Sequence, residues 1–194
     1  MDFDLFLIGA GSGGVRAARM AAQRGVRVAV AEAAALGGTC VNAGCIPKKL
    51  YSYAARYAEA FQESAGYGWR GPAPTLDWDA LKQARAAELL RLNGVYGQLL
   101  ASAGVTLIEG WARVDGPHGV IVGDKRYTAK TIVVATGGMP FVPDIPGRDL
   151  VVTSERMFDL PALPRQLAVV GAGYIACEFA SIFRGLGVAV TLVH

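Results

Sequence analysis

A glycine-rich turn between two apolar segments constrains the fold of this chain more than any other feature. Residues 4–8 predict a buried strand, and they lead directly into Gly-Ala-Gly-Ser-Gly-Gly at 9–14. An alanine-rich helix is predicted over 15–24, followed by a second strand over 26–31 that ends at Glu32. In such a β-α-β unit the glycines allow a tight turn, the helix N-terminus binds phosphate, and the acid accepts hydrogen bonds from a ribose. The segment therefore predicts a dinucleotide site, with a packed glycine turn and a surface glutamate as the alternative.

Two cysteines, Cys40 and Cys45, form the second informative feature. Two glycines precede them, Pro47 and two lysines follow, and the apolar spacing after Pro47 predicts a helix. Both cysteines are thus expected at or just before a helix N-terminus, where backbone N–H groups and the helix dipole favour an anionic sulfur. This pattern indicates a redox-active pair. A structural disulfide, half of a zinc site and two unreactive cysteines are the alternatives.

Composition excludes several other classes of protein. The 194 residues are 53% hydrophobic and include 25 glycines, which favours a well-packed α/β protein with many tight turns. The net charge of +3 is scattered along the chain, so no nucleic-acid partner is expected. The acidic start is not that of a signal peptide, and no apolar run is long enough to span a membrane. We expect a soluble chain in a reducing, cytoplasmic compartment.

The middle of the chain predicts a long helix and a small antiparallel insertion. The helix is expected from a cap at Asp77 to about Ala103, followed by a strand over 105–109. Residues 111–127 predict short antiparallel strands, and 131–134 predict another buried strand. Tyr96 lies between two glycines of the helix and is predicted to be exposed; it is either a ligand contact or, by helical spacing, a core or rim residue. His118 is expected to be solvated, with no catalytic role.

A second glycine pattern follows a proline-rich linker over 140–147. A strand at 166–170 precedes Gly-Ala-Gly-Tyr-Ile-Ala at 171–176, and a helix to about 186 and a strand over 188–193 come next. From its position alone, Glu178 is a solvated helix carboxylate, and Cys177 is expected to be buried. The sequence ends where an acid or an arginine would select between NADH and NADPH, so we expect the N-terminal part of a longer protein.

These motifs together resemble the flavin-dependent disulfide reductases of the pyridine nucleotide-disulfide reductase family, over the whole chain. The motif Pro-Lys-Lys after Cys45 is similar to the members that act on glutathione or trypanothione, whereas dihydrolipoamide-oxidising and mercury-reducing members usually have Pro-Ser-Lys. Residues 15–19 look more like the glutathione-specific members of plants and bacteria. Ala43 is a small departure, because valine is common at that position.

The resemblance implies a fold of two domains. Residues 1–140 would form a Rossmann-like α/β FAD-binding domain, with an inserted antiparallel β meander and the redox disulfide. Residues 141–194 would begin a second Rossmann-like domain, which binds NAD(P)H.

The resemblance also implies residue roles. Cys45 would be the thiol nearest the flavin and form a charge-transfer complex, and Cys40 would attack the substrate disulfide. Lys48 would lie by the flavin and pair with Glu178, and Tyr174 would cover the nicotinamide pocket. Cofactor binding is implied for Gly9, Gly11, Ser12, Gly13, Gly14, Glu32, Gly38, Thr39, Cys45, Lys48, Ala112, Thr136, Gly137, Gly171, Gly173, Tyr174, Ile175 and Glu178. Substrate contacts are implied for Ser12, Arg19 and Tyr96, and no metal is implied.

The activity implied by the resemblance is NADPH-dependent reduction of glutathione disulfide through FAD and a Cys40–Cys45 disulfide, in a homodimer. The histidine that protonates the leaving thiolate in this family is matched by neither His118 nor His194, so these 194 residues alone are expected to be inactive. A reductase of another disulfide, of trypanothione or dihydrolipoamide type, and a non-catalytic flavin-binding module are the alternatives.

Overall fold

The computed structural model describes all 194 residues. Its strands are β1 (Phe3–Ile8), β2 (Val28–Glu32), β3 (Thr106–Glu109), β4 (Ala112–Val114), β5 (Gly119–Val122), β6 (Lys125–Val134), β7 (Gln166–Val170) and β8 (Ala189–Val193). Its helices are α1 (Ser12–Ala22), α2 (Gly38–Asn42), α3 (Cys45–Ser64), α4 (Trp78–Ser102) and α5 (Tyr174–Gly185). None of the helices combines the length and the apolar character that a membrane-spanning segment requires.

The chain folds into two compact units. The first unit contains Met1–Asn42 and Glu88–Phe141, and the second contains Ala43–Ala87 and Val142–His194. The domain limits expected from the sequence, 1–140 and 141–194, stay a prediction.

A six-stranded sheet in the order β3-β2-β1-β6-β5-β4 organises the first unit. The strands β3, β2, β1 and β6 are parallel, whereas β4 and β5 form an antiparallel extension. The predicted β-α-β unit is confirmed: β1 pairs with β2 on one side and with β6 on the other. Because the chain leaves β1 in one direction and returns to its other side only at β6, the carboxyl end of β1 lies at a switch point of the sheet, where α/β proteins bind ligands.

The strand β6 differs from the sequence-based expectation. The last strand of the predicted meander and the separate buried strand at 131–134 are one continuous strand, Lys125–Val134. Its first part pairs antiparallel with β5 and its second part parallel with β1. No turn residue interrupts 127–131, and Lys130 forms an ion pair with Asp4 of β1 at 2.7 Å. The strand is also less buried than predicted, since Val134 is 64% exposed.

Alternating side chains of β1 supply two separate cores on the two faces of this sheet, as expected for a strand. Leu7 packs in one core with Val30 and Leu100 of α4. Phe6 packs in the other with Val120 and other residues of the antiparallel extension.

The second unit is built on an aromatic core between α3 and α5. Tyr51, Phe158 and Phe183 are almost completely buried there. The Tyr51 hydroxyl donates a hydrogen bond to the Phe158 carbonyl oxygen at 2.9 Å, and burial raises the pKa of this phenol. The same oxygen accepts a bond from Arg85 Nη1 at 2.6 Å. The parallel pair β7–β8 completes the unit.

Candidate functional site

The glycine-rich loop lies at the carboxyl ends of β1 and β6. Gly9 has φ of +103°, and a Cβ built there would lie 2.4 Å from the carbonyl oxygen of Ala135. A Cβ on Gly14 would lie 1.9 Å from the carbonyl oxygen of Gly9. Helix α1 therefore packs directly on the end of β1, an approach that only glycine at both positions allows.

The N-terminus of α1 presents backbone N–H groups without side-chain competition. Gly11 is the capping residue, no side chain caps the helix, and the first turn contains no acidic residue. Ser12 is exposed, and no atom lies within 4 Å of a Cβ built on Gly13. Unpaired N–H groups and the positive end of the helix dipole suit the binding of a phosphate group here.

Glu32 has a structural role that the sequence analysis did not foresee. Its Oε2 accepts a hydrogen bond from the backbone N–H of Ala10 at 2.7 Å, and its Oε1 accepts bonds from Ala33 and Ala34 at 2.9 Å each. The carboxylate thus anchors the glycine-rich loop. A carboxylate has about four lone-pair sites, so one on Oε2 remains for a ligand hydroxyl.

The two cysteines lie on different helices. Cys45 is the first residue of α3, as the sequence predicted, and its side chain is exposed. The position predicted for Cys40 is wrong in detail, because this residue is the third of the five-residue helix α2 and is half-buried. Helix α2 forms because the chain turns sharply at Gly37, whose N–H bonds to the carbonyl oxygen of Ala10 at 2.9 Å.

An ion pair links the cysteine-bearing helix α3 to α5 within the second unit. Lys48 Nζ and Glu178 Oε1 are 2.6 Å apart, with side chains 28% and 40% exposed. Lys48 lies one turn after Cys45, so the pair is anchored next to that thiol. Glu178 is not the solvated carboxylate that its position alone suggested; the pairing implied by the resemblance is present.

The second glycine motif has the same local form as the first. Gly171 has φ of +108°, and its N–H bonds to the carbonyl oxygen of Val193 at 2.8 Å. Gly173 caps α5 without a side-chain bond. Tyr174 is 78% exposed and Ile175 is 43% exposed. The expectation that Cys177 is buried is wrong: the residue is exposed, because it lies one turn into α5 on its open side.

The residues implied as substrate contacts lie in the first unit. Arg19 is half-buried on α1, and its Nε is buried without a hydrogen-bond partner. Tyr96 is half-buried rather than exposed, and it packs against the core that contains Leu7. Their assignment to substrate stays a prediction.

The remaining predicted cofactor residues lie in the first unit. Ala112 is the half-buried first residue of β4, and Gly38 is half-buried in α2. Thr39, Thr136 and Gly137 are exposed. His118 is exposed as predicted, and its Nδ1 lies 3.1 Å from the carbonyl oxygen of Ala129.

Two asparagines that the sequence analysis passed over support the segment around Cys40. Asn93 Nδ2 donates to Asn42 Oδ1 at 2.9 Å, although the two residues are far apart in the sequence. The sequence contained one local signal for Asn93: asparagine is a poor helix former, so its presence in the interior of a predicted long helix indicates another role.

Comparison with known proteins agrees with these features. Residues 3–194 match the family described as pyridine nucleotide-disulphide oxidoreductase. The chain belongs to this family. It is 50% identical over 193 residues to a glutathione reductase of Burkholderia cepacia, and 50% identical over 196 residues to a chloroplastic/mitochondrial glutathione reductase of Pisum sativum. A glutathione reductase of Nostoc sp. is 44% identical over 192 residues.

These alignments cover almost all of the chain but less than half of each relative. The matched shares of the chain are 100%, 95% and 99%, and the matched shares of the three relatives are 43%, 36% and 42%. The chain therefore spans less than half the length of these curated relatives.

Proposed function

We propose that this chain supplies the cofactor and redox-disulfide portion of an enzyme that uses NADPH and FAD to reduce glutathione disulfide. The observation that carries the proposal is the Lys48–Glu178 ion pair, which joins the helix that begins at Cys45 to the helix that follows the second glycine motif. In a disulfide reductase those two helices must cooperate, because one carries the thiol and the other the site for the nicotinamide. Relatives named glutathione reductase support the choice of substrate.

The residues of the first unit fit FAD. The uncapped N-terminus of α1 suits the pyrophosphate, and the remaining lone-pair site of Glu32 Oε2 suits one ribose hydroxyl. When bound, FAD supplies a redox centre that takes a hydride from NADPH and passes an electron pair to a disulfide. The domain that binds it would extend to about residue 140.

The second glycine motif fits NADPH. Gly171 and Gly173 shape a tight turn before α5, and no acidic residue lies in the first turn of that helix to repel phosphate. Tyr174 is exposed at this N-terminus and would cover the nicotinamide. Residues 141–194 would then begin the NADPH-binding domain.

Cys40 and Cys45 would form the redox couple. Two electrons and two protons convert their disulfide into two thiols. The Cys40 thiolate then attacks glutathione disulfide, so that a mixed disulfide forms and one glutathione leaves after protonation. Cys45 thiolate attacks Cys40 sulfur, which restores the protein disulfide and releases the second glutathione as a thiolate. The ammonium group of Lys48 provides positive charge one turn from Cys45, and Glu178 fixes its position.

A homodimer and a cytoplasmic location belong to the same proposal, since the resemblance implies the first and the use of reactive thiols favours a reducing compartment. Sedimentation of the natural protein would test for the dimer.

A turnover assay tests the activity. We expect the natural protein, loaded with FAD, to oxidise NADPH when glutathione disulfide is added, and to do so less efficiently with NADH, trypanothione disulfide or lipoamide. Replacing either Cys40 or Cys45 by serine should abolish this turnover. Preference for another disulfide would overturn the choice of substrate, and flavin binding without any disulfide-dependent turnover would favour a non-catalytic module.

A further inference from the structure

The segment that carries Cys40 is held by hydrogen bonds from the side-chain amides of two asparagines. We name residues 35–42 the Cys40 turn. The Nδ2 group of Asn42 donates to the carbonyl oxygens of Ala35, Leu36 and Gly38 at 3.3, 3.1 and 3.0 Å. Asn42 therefore closes the turn on itself from its C-terminal end.

A second asparagine fixes the first one. Asn93 of α4 donates through Nδ2 to Asn42 Oδ1 at 2.9 Å and to the Leu36 carbonyl oxygen at 2.7 Å. Both hydrogens of the Asn93 amide are thus used on the Cys40 turn. The amide orientations are forced, because every acceptor around the Asn42 nitrogen is a carbonyl oxygen.

The same face of α4 also packs on the turn. Leu36 lies against Gly97, where a built Cβ would be 3.5 Å from Leu36 Cδ1, and Gly97 is one helical turn after Asn93. The Cys40 turn also contacts the glycine-rich loop after β1, because the Gly37 N–H donates a hydrogen bond to the Ala10 carbonyl oxygen. The Cys40 turn is therefore held between α4 and the loop that follows β1.

We propose that Asn93 is a positioning residue that acts through Asn42 to hold Cys40 for disulfide formation and exchange. The inference rests on the proposed function, since it assumes that Cys40 and Cys45 form the redox couple. In the disulfide the bond itself restrains Cys40, whereas in the dithiol the amide contacts contribute to this restraint. Removing them frees the dithiol form and makes closure of the disulfide less favourable.

The test is the equilibrium between protein disulfide and dithiothreitol in the natural, FAD-loaded protein. Reduction breaks the Cys40–Cys45 bond and gives two thiols, while dithiothreitol becomes a cyclic disulfide. We expect Asn93→Ala to shift this equilibrium about tenfold toward the dithiol, which is about 30 mV for a two-electron couple. Asn93→Asp, which keeps the shape but has no hydrogens to donate, should behave in the same way. With glutathione disulfide, kcat should fall while KM changes little.

Gln98→Ala is the matched control, because Gln98 is an exposed residue of the same helix. It should leave the equilibrium unchanged. If Asn93→Ala is too unstable to purify, the same substitution is made together with Gly94→Ala, which removes an exposed glycine from α4 at a position where no atom lies within 4 Å of the new Cβ. Failure to fold on both backgrounds would show that Asn93 serves only the fold and would overturn the positioning role.

The outcomes separate this inference from the proposed function. If the unsubstituted protein forms no reducible Cys40–Cys45 disulfide, the proposed function fails. If it does, and Asn93→Ala matches Gln98→Ala in both the equilibrium and kcat, only the role of Asn93 is overturned.

Discussion

Replacing Gly13 or Gly14, adjacent residues in the first turn of α1, by alanine should affect the stability of the fold in opposite ways. On Gly14, the new Cβ would lie 1.9 Å from the carbonyl oxygen of Gly9, so helix and loop must separate by about 1 Å to reach the shortest contact that real Cβ atoms make. The obstacle is backbone, which cannot rotate away as a side chain can. On Gly13, no atom lies within 4 Å of the new Cβ.

The magnitudes follow from these contacts. Overpacking costs about 1–3 kcal/mol and occasionally more, and the clash at Gly14 is at the severe end of that range. The better helix propensity of alanine offsets up to about 1 kcal/mol. We therefore expect Gly14→Ala to lower the free energy of unfolding by about 2–4 kcal/mol. Gly13→Ala should leave it unchanged or raise it by up to about 1 kcal/mol.

Urea unfolding of the FAD-free protein measures both effects, and Gly13→Ala is the control for Gly14→Ala. FAD titration adds a second readout. If the pyrophosphate lies at this helix N-terminus, the methyl group of Gly13→Ala crowds it, so the affinity should fall about tenfold, or about 1.4 kcal/mol, in a variant whose fold is intact. Equal stability of the two variants would refute the packing argument. Unchanged FAD affinity of Gly13→Ala would refute the assignment of the loop to the cofactor.

Three further predictions concern stability. Tyr51→Phe and Arg85→Met should each lower the free energy of unfolding by about 1 kcal/mol. The double variant should lose about 1 kcal/mol more than the sum of the two. Both side chains donate to the same buried carbonyl oxygen, which is left without a donor only when both are replaced. Hydrogen bonds with Arg27 and Lys130 hold the pKa of the Asp4 carboxyl well below its usual value of 3.8. Asp4 therefore stabilises the fold above that pH, and this stabilisation is lost as the pH falls through the folded-state pKa. Asp4→Asn should flatten the loss of stability below about pH 4. Glu178→Gln should cost about 1 kcal/mol by removing the partner of the half-exposed Lys48, and less in 1 M salt.

Urea unfolding checks all three. Additive costs for Tyr51 and Arg85 would show that the shared carbonyl oxygen finds another donor. If stability falls with pH in the same way in the parent and in Asp4→Asn, the ion pairs of Asp4 do not stabilise the fold. If the cost of Glu178→Gln does not depend on salt, the Lys48–Glu178 pair does not act electrostatically.

Local patterns in the sequence predict what is formed by neighbours along the chain. The β-α-β unit, its glycines and Glu32 are found within about thirty residues, where periodicity and turn chemistry apply. The helix start at Cys45 is local in the same sense. The Ala80 N–H donates a hydrogen bond to Asp77 Oδ1 at 2.9 Å, which confirms the predicted cap of α4.

Contacts between distant segments could not be predicted from periodicity. Lys48 and Glu178 were paired only through a family resemblance, because a carboxylate on an exposed helix turn carries no local sign of its partner. Asn42 and Asn93 were missed for the same reason. The continuity of β6 was missed because Lys130 is unusual in the middle of a strand predicted to be buried. The ion pair that accommodates it depends on Asp4 of the neighbouring strand β1, which is far away in the sequence.

The most direct test of the account is the visible spectrum of the FAD-loaded natural protein during anaerobic titration with a dithiol. The account predicts a new long-wavelength band when the disulfide opens, because the Cys45 thiolate then lies against the flavin. Cys45→Ser should lack the band, and Cys40→Ser should show it before any reductant is added, since Cys45 then has no disulfide partner. Bound flavin that gains no such band on reduction would contradict the assignment of Cys40 and Cys45 as the redox couple.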